Sequence, residues 1–300
     1  MNRQQFAECG LSLSVEAKVV DGLHGYFVDS CARLYESCAR FNLLERPLGA
    51  VLEIGAFYGY LPFLLRPNCS SYTVLEGDDP AVYPLKPLYQ KYQISLHFTD
   101  LFESFGPIYN ARHELEFTDE SFDTIVCFET MEHFSFNPVK FVRELRRVLK
   151  PGGCVYITVP NKASFQSLAA LIFGKSELLV DSYFEFEDYR SNGKNAFYGF
   201  HWREYTRSEL RRLFSRAGFR VKQCNTFVAF HEKSPPSLAR SLARTADILL
   251  ASLLTRYGTN VYLVAEKPNP ENLIANGRSL GSNNESGDNT LVALPNNEKR

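Results

Sequence analysis

The seven residues Glu53-Ile54-Gly55-Ala56-Phe57-Tyr58-Gly59 place two glycines and an acid between a short apolar run and a helical pattern. Glycine lets a backbone turn tightly and come close to a ligand. The amides that open the following helix attract a carboxylate or a phosphate. An ordinary strand-to-helix turn uses the same residues, so the spacing alone leaves both readings open. Further on, Glu76 closes a second apolar run, Tyr72-Thr73-Val74-Leu75. Ligands of open α/β sheets bind outside the carboxyl ends of the strands, and a carboxylate there can accept both hydroxyls of a ribose. A solvated turn acid is the alternative, because Gly77-Asp78-Asp79-Pro80 follows.

These groups need a scaffold that brings strand ends to one edge. Residues 50–55, 72–75, 94–98, 122–128, 154–159, 219–221 and 261–265 read as strands. Between the fourth and fifth lies an amphipathic helix from Pro138 to Leu149. Val139, Phe141, Val142, Leu145, Val148 and Leu149 face inward, and Arg143, Glu144, Arg146, Arg147 and Lys150 face water. Pro138 suits its first turn, and Pro151-Gly152-Gly153 stops it. Thr206 with Glu209 three residues on forms a capping-box pattern for a helix ending at Ala217-Gly218. Strands alternating with helices predict an α/β fold: a doubly wound, mostly parallel, seven-stranded sheet with right-handed crossovers.

Residues 1–48 are expected to form a helical cap, with helical character over 12–46 closed by Pro47. The main domain is expected over 49–267, interrupted at 161–204 by an aromatic-rich insertion that includes Phe165, Tyr183, Phe197 and Trp202. From 268 to 300 apolar residues are sparse, and a disordered tail is expected.

The formal net charge of −1, without a long basic run, argues against a large nucleic-acid footprint. The seven cysteines form no C-x-x-C pair and read as reduced thiols. The opening residues lack the apolar core of a signal peptide, and no apolar run is long enough to span a bilayer. Cytoplasm is the expected location. An amphipathic stretch at 237–256 with Arg240, Arg244 and Arg256 suggests weak contact with a membrane surface, against the commoner reading of a packed helix.

Three blocks carry a resemblance to a known family: Val51 through Gly59, Leu115 through His133, and Leu145-Arg146-Arg147-Val148-Leu149-Lys150-Pro151-Gly152-Gly153. Together they resemble the class I S-adenosylmethionine-dependent methyltransferases, in the small-molecule branch that includes the ubiquinone-biosynthesis O-methyltransferases. His201 through Thr206 and Ala217-Gly218-Phe219 add a similar downstream signature. The resemblance implies a Rossmann-like methyltransferase fold and S-adenosylmethionine as cofactor. Glu53, Gly55, Ala56 and Gly59 would hold its methionine end, Glu76 its ribose, Asp100 and Leu101 its adenine, and the Cys127 backbone its amino-acid moiety.

The sequence departs from the family pattern in three places. Phe57 stands for the middle glycine, the segment from Asp100 to Leu115 is longer than usual, and Pro80, Pro84 and Pro87 interrupt the helix after Glu76. Methyl transfer is an in-line displacement in which the protein mainly aligns donor and acceptor. For a hydroxyl acceptor, a base or a metal helps remove the proton. His133 and His201 are the candidates for the base, with a capping or core histidine as the bland reading of each. Some relatives hold a divalent cation with a Glu-x-x-Glu-His group and a distant histidine, which would be Glu129, Glu132, His133 and His201 here. The expected acceptor is a small molecule methylated on oxygen. An NAD(P)-dependent oxidoreductase is the competing enzyme class, opposed by Phe57 and by Pro151-Gly152-Gly153. A non-catalytic methyltransferase-like binding protein is kept open by Phe57.

Overall fold

The computed structural model describes residues 1–17, 21–78, 80–106, 114–172, 174, 190, 191, 194, 195, 201–229, 245, 248, 249, 254 and 256–269. Residues Met1–Lys267 form one compact unit and Pro268–Arg300 another; the first is described here. The expected tail, most of the 161–204 insertion and most of 237–256 lie outside the described residues.

Seven strands form the main sheet: β1 (Gly49–Ile54), β2 (Cys69–Glu76), β3 (Ser95–Phe98), β4 (Phe122–Phe128), β5 (Leu149–Pro160), β6 (Arg220–Phe227) and β7 (Asn260–Glu266). Their spatial order is β3-β2-β1-β4-β5-β7-β6. The first five are mutually parallel, and β7 runs antiparallel to both β5 and β6. Ile54, Glu76, Phe98, Phe128 and Pro160 therefore all end at one edge, the carboxyl edge of the sheet.

The helices are α1 (Arg3–Glu16), α2 (Asp21–Arg40), α3 (Leu61–Leu65), α4 (Lys86–Lys91), α5 (Leu101–Phe105), α6 (Val139–Val148), α7 (Phe165–Ile172) and α8 (Arg207–Arg216). Strand side chains alternate between two cores, as the pleat requires. Val51, Val74 and Tyr156 pack with Phe6, Phe27 and Leu64 on the face covered by α1 to α3. Leu52, Ile125 and Ile157 pack with Phe141, Leu145 and Phe214 on the face covered by α6 and α8. Burial on both faces explains why the strands read as continuous apolar runs.

The helical cap begins earlier than its apolar pattern suggested. Asn2 and Gln5 form a reciprocal capping box that starts α1, a polar signal that hydrophobic periodicity cannot register. After Glu76 the prolines allow only a 3₁₀ stretch, Pro80–Leu85, before α4. Thr206 and Glu209 form the expected capping box on α8.

Two readings of α6 need correction. Pro151-Gly152-Gly153 does not stop the helix: α6 ends at Val148, and the three residues lie inside β5, where Gly152 N donates to Lys267 O (2.8 Å). Glu144 does not face water. It is buried and accepts from Leu115 N (3.0 Å) and Arg147 Nη2 (2.7 Å), while Arg147 also donates to the carbonyls of Leu115 and Phe117. The pair clasps the segment that leads into β4.

Candidate active site

The turn after β1 is shaped by its glycines. Gly55 has φ +71°, and a Cβ placed there would lie 2.5 Å from the Thr130 side chain. Gly55 N donates to Leu75 O (3.0 Å), and Gly59 N donates to Ala56 O (3.0 Å), closing the turn. A Cβ at Gly59 would meet Ala56 O at 3.1 Å and Leu34 of α2 at 3.4 Å. Phe57 takes the left-handed backbone expected of a glycine, at φ +40°. Its ring meets Tyr26 of α2 edge to face, with centroids 5.0 Å apart. The turn thus forms despite the substitution, under an aromatic contact from the helical cap.

Gly55→Ala combines a disfavoured backbone with a steric clash, and is expected to destabilise the fold by about 1–3 kcal/mol. Gly152 also has a positive φ, +79°, but open space around it. Gly152→Ala therefore isolates the backbone contribution. Urea unfolding of both variants checks this, and equal losses would remove Thr130 as the cause.

Glu76 ends β2 beside this turn. Phe57 N donates to its Oε2 (2.8 Å) and Gly77 N to its Oε1 (3.2 Å). Glu53 lies deeper, buried in β1, with its Oε2 accepting from the Tyr72 hydroxyl (2.5 Å). Burial pushes the Glu53 carboxyl up to about 8, opposed by the Tyr72 bond and aided by the Glu76 charge. The folded chain then holds a proton that the unfolded chain releases above its ordinary value of 4.5. The unfolded state binds fewer protons in that window, so this contribution to stability falls as pH rises from 4.5 to about 8. Glu53→Gln is expected to flatten that decline in thermal melts without cofactor; an unchanged slope would rule out Glu53 as its source.

Asp100 and Leu101 follow β3, one strand from Glu76, and Thr99 N donates to Glu76 O (2.9 Å). Asp100 Oδ1 accepts from Glu103 N (3.1 Å) at the start of α5. Cys127 is fully buried in β4 with its side chain in the α6-side core, and burial pushes its thiol far up. Only its backbone is left to meet a ligand. The turn, Glu76 and the end of β3 thus stand along neighbouring strand ends.

The chain leaves β4 through Glu129, a left-handed residue at φ +49°. Thr130 Oγ1 donates to Ile54 O (3.1 Å), tying this loop to the end of β1. Met131–His133 form a 3₁₀ turn. Glu132 O accepts from Trp202 N (2.7 Å) and Arg203 N (3.2 Å), and Asn161 pairs with Tyr205 in a parallel bridge. These backbone bonds draw the stretch before α8 across the ends of β4 and β5. His133 and His201 consequently meet edge to face, with ring centroids 5.0 Å apart.

Glu132 is buried beneath them, and its Oε2 has no hydrogen-bond partner among the described residues. Burial, aided by the Glu129 charge, pushes its carboxyl well up. One ligand atom each from Glu132, His133 and His201 lies within 4.8 Å of the others. Glu129 does not join them, which corrects the four-residue cation set. Its carboxylate instead accepts from Arg33 Nη1 of α2 (3.1 Å) and from Asn260 Nδ2 (3.1 and 3.2 Å). Arg33, Tyr26, Thr130 and Asn260 carry no local sequence signal; only the fold gathers them.

Five parallel strands followed by a single reversed strand, β7, inserted between β5 and β6 give a Rossmann-like methyltransferase fold of class I. Residues 28–223 match the family described as a methyltransferase domain, and the chain belongs to that family. It is 27% identical over 225 residues to a Mycolicibacterium smegmatis protein described as a probable S-adenosylmethionine-dependent methyltransferase, covering 75% of this chain and 68% of that one. It is 29% identical over 130 residues to a Campylobacter curvus tRNA U34 carboxymethyltransferase, covering 41% of this chain and 40% of that one. Among solved structures, the complex of the Haloferax volcanii Trm112 methyltransferase activator with its methyltransferase contains a similar fold, with TM-score 0.55, 18% identity, and coverage of 86% of this chain and 98% of that one. This protein is an S-adenosylmethionine-dependent methyltransferase, which replaces the competing oxidoreductase reading. No described helix is long and apolar enough to cross a membrane.

Proposed function

We propose that this methyltransferase acts on a small-molecule acceptor, most directly at an oxygen, with His133 and His201 as the groups that take its proton. The observation that carries the reading is the imidazole pair, 5.0 Å apart and set over a buried acid at the carboxyl edge. Glu76 would accept the ribose hydroxyls; Glu53, Gly55, Ala56 and Gly59 would hold the methionine end; Asp100 and Leu101 would meet the adenine, and the Cys127 backbone the amino-acid group. Bound there, S-adenosylmethionine supplies a methyl group already activated on a sulfonium. The chain's own work is then to align an acceptor and remove its proton. His133 and His201 are placed to receive that proton on a ring nitrogen.

The net charge of −1 supports a small acceptor over a long polyanion, because it supplies no overall positive charge to gather one. The Campylobacter relative is named for a tRNA substrate, so nucleic acid must be tested alongside metabolites. A second reading has its own observation: the unpartnered Oε2 of Glu132 beside two imidazoles is a donor set that a divalent cation would satisfy. Treating the purified enzyme with chelator separates the two. Retained turnover supports histidine as the base, and loss restored by added metal supports the cation.

A further inference from the structure

Among the described residues, six of the eleven exposed large apolar side chains fall in two stretches, one directly after β5 and one before β7. Phe165, Leu171 and Ile172 lie on α7, directly after β5, and Ile248, Leu249 and Leu254 precede β7. Ile172 is 81% exposed, and none of the residues of α7 is buried. The sequence of α7, Phe165 through Ile172, contains no charged residue. A helix packed on its own domain would bury an apolar stripe, and apolar surface gathered in one place marks an interaction site.

The two stretches are joined at their bases. Phe165 N donates to Tyr257 O (3.3 Å), and Asn161 Nδ2 donates to the carbonyls of Arg256 (3.0 Å) and Gly258 (2.7 Å). Exposed Lys162 and Arg256 stand at that junction. No acidic residue occurs in 161–176 or in 248–265.

We propose that this face docks on an anionic lipid surface. Apolar side chains flanked by cations, without acids, complement the boundary between headgroups and acyl chains. A symmetric pairing of two copies through this face would instead bring two sets of Lys162 and Arg256 into one interface without an acid from either stretch. The face is continuous with the candidate active site, since Lys162 N donates to Tyr205 O (3.2 Å) in the stretch that carries His201. Docking sets that edge beside the bilayer, within reach of an acceptor held at the membrane. This last consequence rests on the proposed acceptor; the docking itself does not.

Flotation of the full chain with vesicles tests it, using phosphatidylcholine alone and phosphatidylcholine mixed with phosphatidylglycerol. Binding is expected to favour the mixed vesicles and to weaken with salt. Leu171→Asp combined with Ile172→Asp is expected to lower the bound fraction about tenfold, and Lys162→Glu combined with Arg256→Glu to remove the preference for phosphatidylglycerol. Calorimetric binding of S-adenosylmethionine should persist in both. Absence of flotation, or flotation unchanged in both variants, overturns the proposal. A dimer seen by light scattering and abolished by the Leu171 and Ile172 changes, without vesicle binding, would assign the face to a second copy. Methyl transfer that persists without flotation would leave the proposed reaction standing.

Discussion

Glu76→Ala is expected to weaken S-adenosylmethionine binding about 100-fold or more. The carboxylate would lose its hydrogen bonds to the ribose hydroxyls, and bonds to a charged group contribute about 1.5–3 kcal/mol each, with about 1.4 kcal/mol per tenfold change. The effect is compounded because Phe57 N also donates to Glu76, so the same substitution loosens the cofactor turn. Glu76→Gln keeps an acceptor for that amide and should lose less. Calorimetry on variants with intact melting curves checks both. Affinity within about twofold of wild type after Glu76→Ala would remove Glu76 from the cofactor site.

His133→Ala and His201→Ala are expected to lower kcat by about 10²- to 10⁴-fold, the range of positioned general bases, while cofactor affinity stays close to wild type. If one imidazole takes the proton and the other orients it, one variant will fall further, and only the proton acceptor's loss will erase the acidic limb of the pH–rate profile. Glu132→Gln sharpens the distinction. Burial pushes the Glu132 carboxyl well up, so an amide of the same shape should preserve turnover when histidine is the base. A cation held by Glu132, His133 and His201 would lose an anionic ligand and its activity. Full activity in both histidine variants would return these rings to simple packing.

What could be read from the sequence follows the range of the signals. The strand runs, the Thr206 capping box and the prolines after Glu76 are local, and each appears in the structure within a few residues of its expected place. The two histidines are far apart in sequence, yet each adjoins a strand or helix end whose position the topology dictates, so their shared edge was legible. Glu144 was misread because hydrophobic periodicity sees only a charged residue, whereas Arg147 and the Leu115 amide satisfy it in the interior. Glu129 stood with Glu132 only in the cation set that some relatives use; in the fold its carboxylate pairs with Arg33 and Asn260. Arg33 sits 96 residues from Glu129, and no pattern within either segment announces the pair.

The most direct measurement follows a labelled methyl group from S-adenosylmethionine through the purified enzyme into fractionated cell extract. The expected result is label recovered on an oxygen of a small metabolite, transferred by the wild-type chain and lost with His133→Ala and His201→Ala while both variants still bind cofactor. Label found only in RNA or protein, with none in the small-molecule fraction, would contradict it.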